Sequence, residues 1–260
     1  MKFKKITMLT ISVSAICIIS ALTVLGAGFA KTKTYVDGTF NDLEKEKWYY
    51  NEVVSSYELG FMNGTSENTF AAQGNVTVAQ GITLASRIHN IYNGGTGEFT
   101  QGEPWYQVYV DYAIENGFVK EGQFDSYTRN IKRLEMATLF ADALPATEFV
   151  AINNVSAIPD VSSTDANYAK LLMLYNAGIV MGSNDYGDFF PDNDIKRSEA
   201  SAIINRVALA ENRLSKTLLN KKVNPPVIEV IPPESSQTGS LQIVDSDDEG
   251  VEFGVVHFGN

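Results

Sequence analysis

Three segments of this 260-residue chain repeat the same order of apolar residues and glycines, and this repetition constrains the fold more than any other feature. Each segment begins with apolar residues at i, i+4 spacing, which is typical of the buried face of a short helix. The pairs are Val53 and Tyr57, Val110 and Ile114, and Leu171 and Tyr175, and each run ends at a glycine, Gly60, Gly117 or Gly178. Because glycine readily adopts the left-handed conformation that ends many helices, the pattern predicts three helix–turn units.

A second helix is predicted to begin 14 to 17 residues after each of these glycines, at residues 76–80, 131–135 and 195–199. In the first copy, Thr77 and Gln80 are spaced as a capping box. The other two copies place Lys132 or Lys196 at the cap position and keep only the acidic partner, Glu135 or Glu199.

Two of these helix starts carry a Lys-Arg pair, Lys132-Arg133 and Lys196-Arg197. Cations in the first turn of a helix are unfavourable by about 0.3 kcal/mol or more each, because that end of the helix dipole is positive. Free backbone N–H groups beside a guanidinium would form an anion site suited to a carboxylate or phosphate. The alternative is that these are solvated cations paired with nearby acids.

An aspartate opens two of the three segments. Asp42 lies six residues before Trp48, and Asp160 lies six residues before Ala166, whereas the middle segment has Phe99 at that place. We expect these aspartates to cap or position the helix that follows.

Together these residues resemble the S-layer homology domain, whose repeat runs from Phe-x-Asp-Val through a Trp-Ala helix and a Gly-Ile-x-x-Gly turn to Ile-Thr-Arg-Ala-Glu. The third segment matches best, at residues 159–161, 177–182, 190–191 and 195–199. The resemblance covers about residues 36 to 215 and implies repeats at 36–93, 98–146 and 155–215. It implies an all-α fold of three helix–loop–helix repeats in a pseudo-threefold arrangement around a central helix bundle, followed by an extended C-terminal tail.

The resemblance also implies that grooves between repeats bind a secondary cell-wall polysaccharide, in many relatives through an acidic pyruvyl ketal. The predicted polysaccharide-binding residues are Arg133, Arg197, Trp48, Trp105, Asp42, Asp160, Lys132 and Lys196. The tryptophans would stack on sugar rings, and the alternative is that each is a partly buried core residue. The first repeat has Val78 and Gln80 in place of the Arg and Glu, and the third has Ala166 in place of Trp. We therefore expect one or two working sites rather than three.

Residues 1–30 have the pattern of a signal peptide, with three lysines, a long apolar run and small residues, Gly28 and Ala30, before the cleavage site. An uncleaved membrane anchor is the alternative. Loss of the three lysines would change the net charge from −11 to −14, so no nucleic acid or anionic membrane would bind through the overall field. Only Cys17 is a cysteine, so the mature chain would have no disulfide. We expect a secreted protein of the bacterial cell wall or cell surface.

The residues give no reason to expect catalysis, a cofactor or a metal site. The two histidines, His89 and His257, are far apart in sequence, and we expect His89 on a helix surface. Glu135 and Glu199 could act as paired glycosidase carboxylates, but their position at helix starts explains them better.

Residues 216–260 differ in composition from the repeats. Paired prolines at 225–226 and 232–233 indicate a stiff, extended linker. Residues 242–244 and 251–256 have β character but are too short for an independent sheet, so the tail is either disordered or adds to the sheet of another surface protein. A drifted scaffold that contacts surface proteins without binding sugar is the alternative function for the whole chain.

Overall fold

The computed structural model describes residues 28–219 and, for the backbone alone, 227–230 and 241–244. The fold is helical, as predicted. The described α-helices are α1 (Tyr50–Glu58), α2 (Val78–Tyr92), α3 (Gln107–Glu115), α4 (Arg133–Ala143), α5 (Tyr168–Asn176) and α6 (Arg197–Ala208), and two 3-10 turns follow α4 and α6 at Ala146–Glu148 and Ala210–Asn212. Strands β1 (Val227–Val230) and β2 (Leu241–Val244) pair antiparallel. Most of the predicted signal segment and the 251–256 segment lie outside the described residues.

The helix ends confirm the local predictions. Gly60, Gly117 and Gly178 end α1, α3 and α5 with φ of +77°, +78° and +73°. Thr77 and Gln80 form the capping box at α2, with Thr77 N–H donating to Gln80 at 3.0 Å and Gln80 N–H to Thr77 at 3.3 Å. The carboxylates of Glu135 and Glu199 accept the N–H groups of Lys132 and Lys196, both at 2.9 Å.

The second helix of each predicted repeat contacts the first helix of another: α2 contacts α3, α4 contacts α5 and α6 contacts α1. The segments before α2, α4 and α6 exchange backbone hydrogen bonds in a closed ring. Val76 N–H donates to Ile195 O (3.0 Å), Ile195 N–H to Ile131 O (3.3 Å) and Ile131 N–H to Val76 O (2.9 Å). The ring agrees with the pseudo-threefold arrangement, which stays a prediction, as do the repeat boundaries.

The first-turn amides of α4 and α6 are not free, so that part of the anion-site prediction is wrong. Arg133 N–H donates to Asn193 O (2.9 Å), and Arg197 N–H donates to Gly74 O (2.8 Å). The reason is tertiary, because each helix start lies against a chain segment from a neighbouring predicted repeat, whose carbonyl groups saturate these amides.

The longest described helix, α2, has 15 residues, and none in the described part of the chain is long and apolar enough to cross a membrane.

Candidate functional site

Arg133, the first residue of α4, lies in a cleft of about 310 Å³ beside α6. The residue is 9% exposed, its Nε donates to Phe189 O at 2.8 Å, and its Nη1 donates to Glu199 Oε1 at 2.6 Å. Its guanidinium also lies 5.1 Å from the Phe189 ring centre. Trp48, which is 63% exposed, forms the open wall. We call this the Trp48 cleft, lined among others by Trp48, Arg133, Gly182, Glu199 and Arg206.

Arg197, the first residue of α6, lies in a second cleft of about 160 Å³ beside α2. The residue is 8% exposed, and Trp105, which is 41% exposed, lines the same cleft. Nε of Arg197 donates to Phe70 O at 2.9 Å and Nη2 to Asn63 O at 2.6 Å, and the Phe70 ring centre lies 4.6 Å from the guanidinium. Burial lowers the pKa of Arg197, but a guanidinium remains charged at neutral pH. We call this the Trp105 cleft, lined among others by Trp105, Arg197, Gly64, Gln80 and Arg87.

Each cleft draws its residues from all three predicted repeats. In the Trp48 cleft, the tryptophan comes from the first, Arg133 from the second and Glu199 from the third. In the Trp105 cleft, the tryptophan comes from the second, Arg197 from the third and Gln80 from the first. The structure thus brings four of the predicted site residues together as two Arg–Trp pairs, and the tryptophans are exposed rather than in the core.

Asp42 and Asp160 accept hydrogen bonds from the backbone of two loops, and a carbonyl group of each loop accepts a hydrogen bond from one of the arginines. The Asp42 carboxylate accepts the N–H groups of Phe70 and Ala71 at 2.8 and 2.7 Å, and Phe70 O accepts from Arg197. Asp160 binds the N–H groups of Phe189 and Phe190 at 2.7 and 2.6 Å in the same way, and Phe189 O accepts from Arg133. The aspartates do not cap the incoming helix, since α1 and α5 begin without a side-chain cap. That they position this helix stays a prediction.

Lys132 and Lys196 do not line either arginine cleft. The ammonium group of Lys132 pairs with Asp194 at 2.7 Å, and that of Lys196 donates to Gln73 Oε1 at 2.9 Å. Lys132 therefore fits the alternative of a solvated cation paired with a nearby acid, whereas Lys196 bonds to an amide oxygen instead.

A second arginine lies in each cleft, and the sequence analysis missed both. Arg87 and Arg206 occur seven residues after Gln80 and Glu199, at the same position of α2 and α6. Nη1 of Arg87 donates to Phe61 O (3.1 Å), and Nη1 of Arg206 donates to Ile179 O (3.3 Å), both just after a helix-ending glycine. Burial lowers the pKa of Arg206. Aligning the repeats beyond the helix start would have revealed these residues.

A third cleft, of about 560 Å³, lies at the corresponding place beside α4 and is lined among others by Gly122, Lys132, Glu135, Asp142 and Asn167. Its lining contains neither arginine nor tryptophan. Buried Val78 replaces the first arginine, Asp142 the second, and Ala166 the tryptophan. Burial alone would raise the pKa of Glu135, but hydrogen bonds from Arg129 and from the Lys132 amide hold it below its ordinary value. This carboxylate is therefore ionised and engaged, which suits a structural role better than acid catalysis.

A further cleft, of about 710 Å³, lies between residues 152–159 and 215–219 and contains none of the eight predicted residues. Its lining cation, Lys216, is paired with Asp185 at 2.9 Å.

Within residues 28–219, no group of three or more His, Cys, Asp or Glu side chains could hold a metal ion. His89 is half-buried rather than on the surface, and its Nδ1 lies 2.8 Å from the Tyr112 hydroxyl.

Residues 39–80 match the model of the S-layer homology domain. The chain is also 26% identical over 145 residues to the Surface-layer 125 kDa protein of Lysinibacillus sphaericus. That similarity covers 52% of this chain but only 12% of the relative's length. The two similarities support an S-layer homology protein associated with the cell surface, and the domain match covers the first predicted repeat alone.

Proposed function

We propose that this chain is exported and anchors non-covalently to the bacterial cell wall by binding an acidic secondary wall polysaccharide in the Trp48 and Trp105 clefts. The observation that carries the proposal is the pairing, in each cleft, of a buried arginine with an exposed tryptophan from a different predicted repeat. In this proposal the ligand is a sugar bearing a pyruvyl ketal, whose carboxylate meets the guanidinium.

The chemistry of the two groups suits such a ligand. An arginine–carboxylate hydrogen bond contributes about 1.5–3 kcal/mol net, and a tryptophan face offers a flat apolar surface with a polar rim to a sugar ring. The whole chain carries a net charge of −11, so an acidic polymer needs locally placed cations to bind. Two clefts on one chain would further strengthen attachment through effective concentration.

The comparisons support the setting of the proposal rather than its ligand. The domain that matches residues 39–80 is named for surface layers, and the relative is named as a surface-layer protein. The resemblance of the repeats to the S-layer homology domain and the two buried arginines favour a pyruvylated polymer.

A sedimentation assay with purified wall sacculi tests the proposal. We expect the protein to bind sacculi, soluble polymer to compete, and a double variant Arg133→Ala, Arg197→Ala to lose binding. Since both arginines are buried, a second variant, Trp48→Ala with Trp105→Ala, removes exposed groups instead and should also lose binding while remaining folded by circular dichroism.

The matched control is the double variant Lys132→Ala, Lys196→Ala, which removes the two cations next to the arginines in sequence but outside both arginine clefts. It should bind like the unaltered protein. Equal loss in this control would point to general charge attraction, and no binding by the unaltered protein would favour a scaffold that contacts proteins without sugar.

A further inference from the structure

The two arginine clefts differ in charge, although their arginines occupy equivalent positions. In the Trp48 cleft both guanidinium groups face protein carboxylates. Arg133 pairs with Glu199 at 2.6 Å, and Arg206 lies 3.8 Å from Glu52. The two cations and two anions cancel, so the formal charge of these four groups is zero.

The Trp105 cleft has neutral residues at both acidic positions. Gln80 stands where the Trp48 cleft has Glu199, three residues after the helix cap in each case. Tyr109 lies four residues after Trp105, as Glu52 lies four residues after Trp48. The hydroxyl group of Tyr109 is 3.4 Å from Nη2 of Arg87.

The arginines of the Trp105 cleft therefore lack anionic partners. Between residues 28 and 219, no carboxylate oxygen lies within the 4.0 Å ion-pair distance of Arg87 or Arg197. Each arginine has one terminal nitrogen without a hydrogen-bond partner in that part of the chain, Nη1 in Arg197 and Nη2 in Arg133. The clefts therefore differ in nearby anions rather than in open donors. Asp42 is the nearby carboxylate whose charge acts on Arg197. Its oxygens accept hydrogen bonds from two backbone amides, as those of Asp160 do beside the Trp48 cleft. The formal charge of the four corresponding groups, Arg197, Arg87, Gln80 and Tyr109, is +2.

We propose that the Trp105 cleft is the site that selects the carboxylate of an acidic sugar, whereas the Trp48 cleft accepts charged and neutral sugars alike. This inference rests on the proposed function and assigns a different ligand preference to each cleft. A carboxylate entering the Trp105 cleft meets a desolvated guanidinium with no protein carboxylate within ion-pair distance. A carboxylate that binds the open Nη2 of Arg133 in the Trp48 cleft lies beside Glu199, and the repulsion between like charges offsets the gain.

The two tryptophans of the chain give one reporter for each cleft. The full chain, labelled with ¹⁵N, is titrated with a methyl glycoside carrying a pyruvyl ketal and, separately, with its neutral methyl ester. The indole N–H signals are assigned with Trp48→Phe. We expect the Trp105 signal to report binding of the acid at least about tenfold tighter than the ester, and the Trp48 signal to show less than about threefold preference.

Two nearly isosteric substitutions exchange the charge between clefts while keeping the helix cap. Gln80→Glu should reduce the preference of the Trp105 cleft for the acid severalfold, and Glu199→Gln should create such a preference in the Trp48 cleft. Glu135→Gln, which makes the same change at the third cleft, is the control and should leave both signals unaffected.

The outcomes separate this inference from the function on which it rests. Equal discrimination by the two indole signals, or a Gln80→Glu protein that still prefers the acid tenfold, overturns the division between clefts and leaves wall binding standing. If the chain binds neither sacculi nor either glycoside, both the proposed function and this inference fall.

Discussion

Asp42 and Asp160 influence the arginines through the backbone rather than by contact with them. Each carboxylate accepts hydrogen bonds from two consecutive backbone N–H groups. The carbonyl group between them accepts a hydrogen bond from Nε of the arginine. The second residue of each amide pair, Ala71 or Phe190, has a left-handed backbone with φ of +58° or +56°. That conformation is unfavourable for residues other than glycine, so the aspartate stabilises a strained turn that aims the carbonyl group.

Substitution of Asp42 by Asn tests this indirect positioning of Arg197, because an amide side chain offers one acceptor oxygen for two N–H groups. We expect the free energy of unfolding to fall by about 1 kcal/mol and sugar affinity to fall severalfold in the Trp105 cleft alone. Urea unfolding and the Trp105 indole titration measure the two effects. Asp160→Asn is the control, which should lose similar stability but weaken sugar binding in the Trp48 cleft alone. If Asp42→Asn instead weakened the Trp48 cleft, or Asp160→Asn the Trp105 cleft, the positioning role would be contradicted.

His89 makes stability depend on pH. Burial lowers its pKa below the ordinary value. Its ring packs against the ring of Phe118, with the centres 5.0 Å apart, and its Nδ1 lies 2.8 Å from the Tyr112 hydroxyl. Below about pH 6.5 the unfolded chain therefore binds a proton that the folded chain resists, and the free energy of unfolding should decrease as pH falls through this range. Urea midpoints between about pH 7.5 and 5.5 should drop more for the unaltered protein than for His89→Gln; identical profiles would exclude His89 as the cause.

At the scale of helices and turns, the sequence predicts what local spacing determines. The three glycine ends and the Thr77–Gln80 box depend on residues within a few positions of each other, and the structure confirms them. The contacts of Asp42 join residues 28 and 29 positions apart, so a local capping rule could not find them. The same limit applies to the first-turn amides, whose acceptors lie in other predicted repeats.

Two of the helix-ending glycines differ in what surrounds them. A Cβ added to Gly178 would lie 2.5 Å from the carbonyl oxygen of Leu214, whereas one added to Gly117 meets nothing within 4 Å. Both have positive φ, so Gly117→Ala should cost about 1 kcal/mol from the left-handed backbone alone. Gly178→Ala should cost about 3 kcal/mol, because the segment bearing Leu214 must also move. Urea unfolding of both variants measures the difference, and equal losses would show that backbone conformation alone decides.

At the scale of the whole molecule, the clefts exist only because helices of different predicted repeats pack against one another. The sequence identifies Arg133 and Arg197, but neither residue shows by itself that its partners are Trp48 and Glu199, or Trp105 and Gln80. The two departures of the first predicted repeat illustrate this. Val78 removes the arginine from the third cleft, whereas Gln80 lies in the Trp105 cleft and leaves its arginine without an anionic partner.

The ring of hydrogen bonds among Val76, Ile131 and Ile195, with the apolar core that the helices share, should make the chain unfold as one unit. Single-tryptophan variants report this directly, because Trp48 and Trp105 belong to different predicted repeats. We expect the fluorescence of Trp48→Phe and of Trp105→Phe to change at the same urea concentration as the far-ultraviolet circular dichroism of each variant. If the repeats were independent, as in a linear array of units, the fluorescence and circular dichroism transitions would separate within each variant. Coincident transitions would mean that loss of one repeat removes both clefts, since each cleft takes residues from all three.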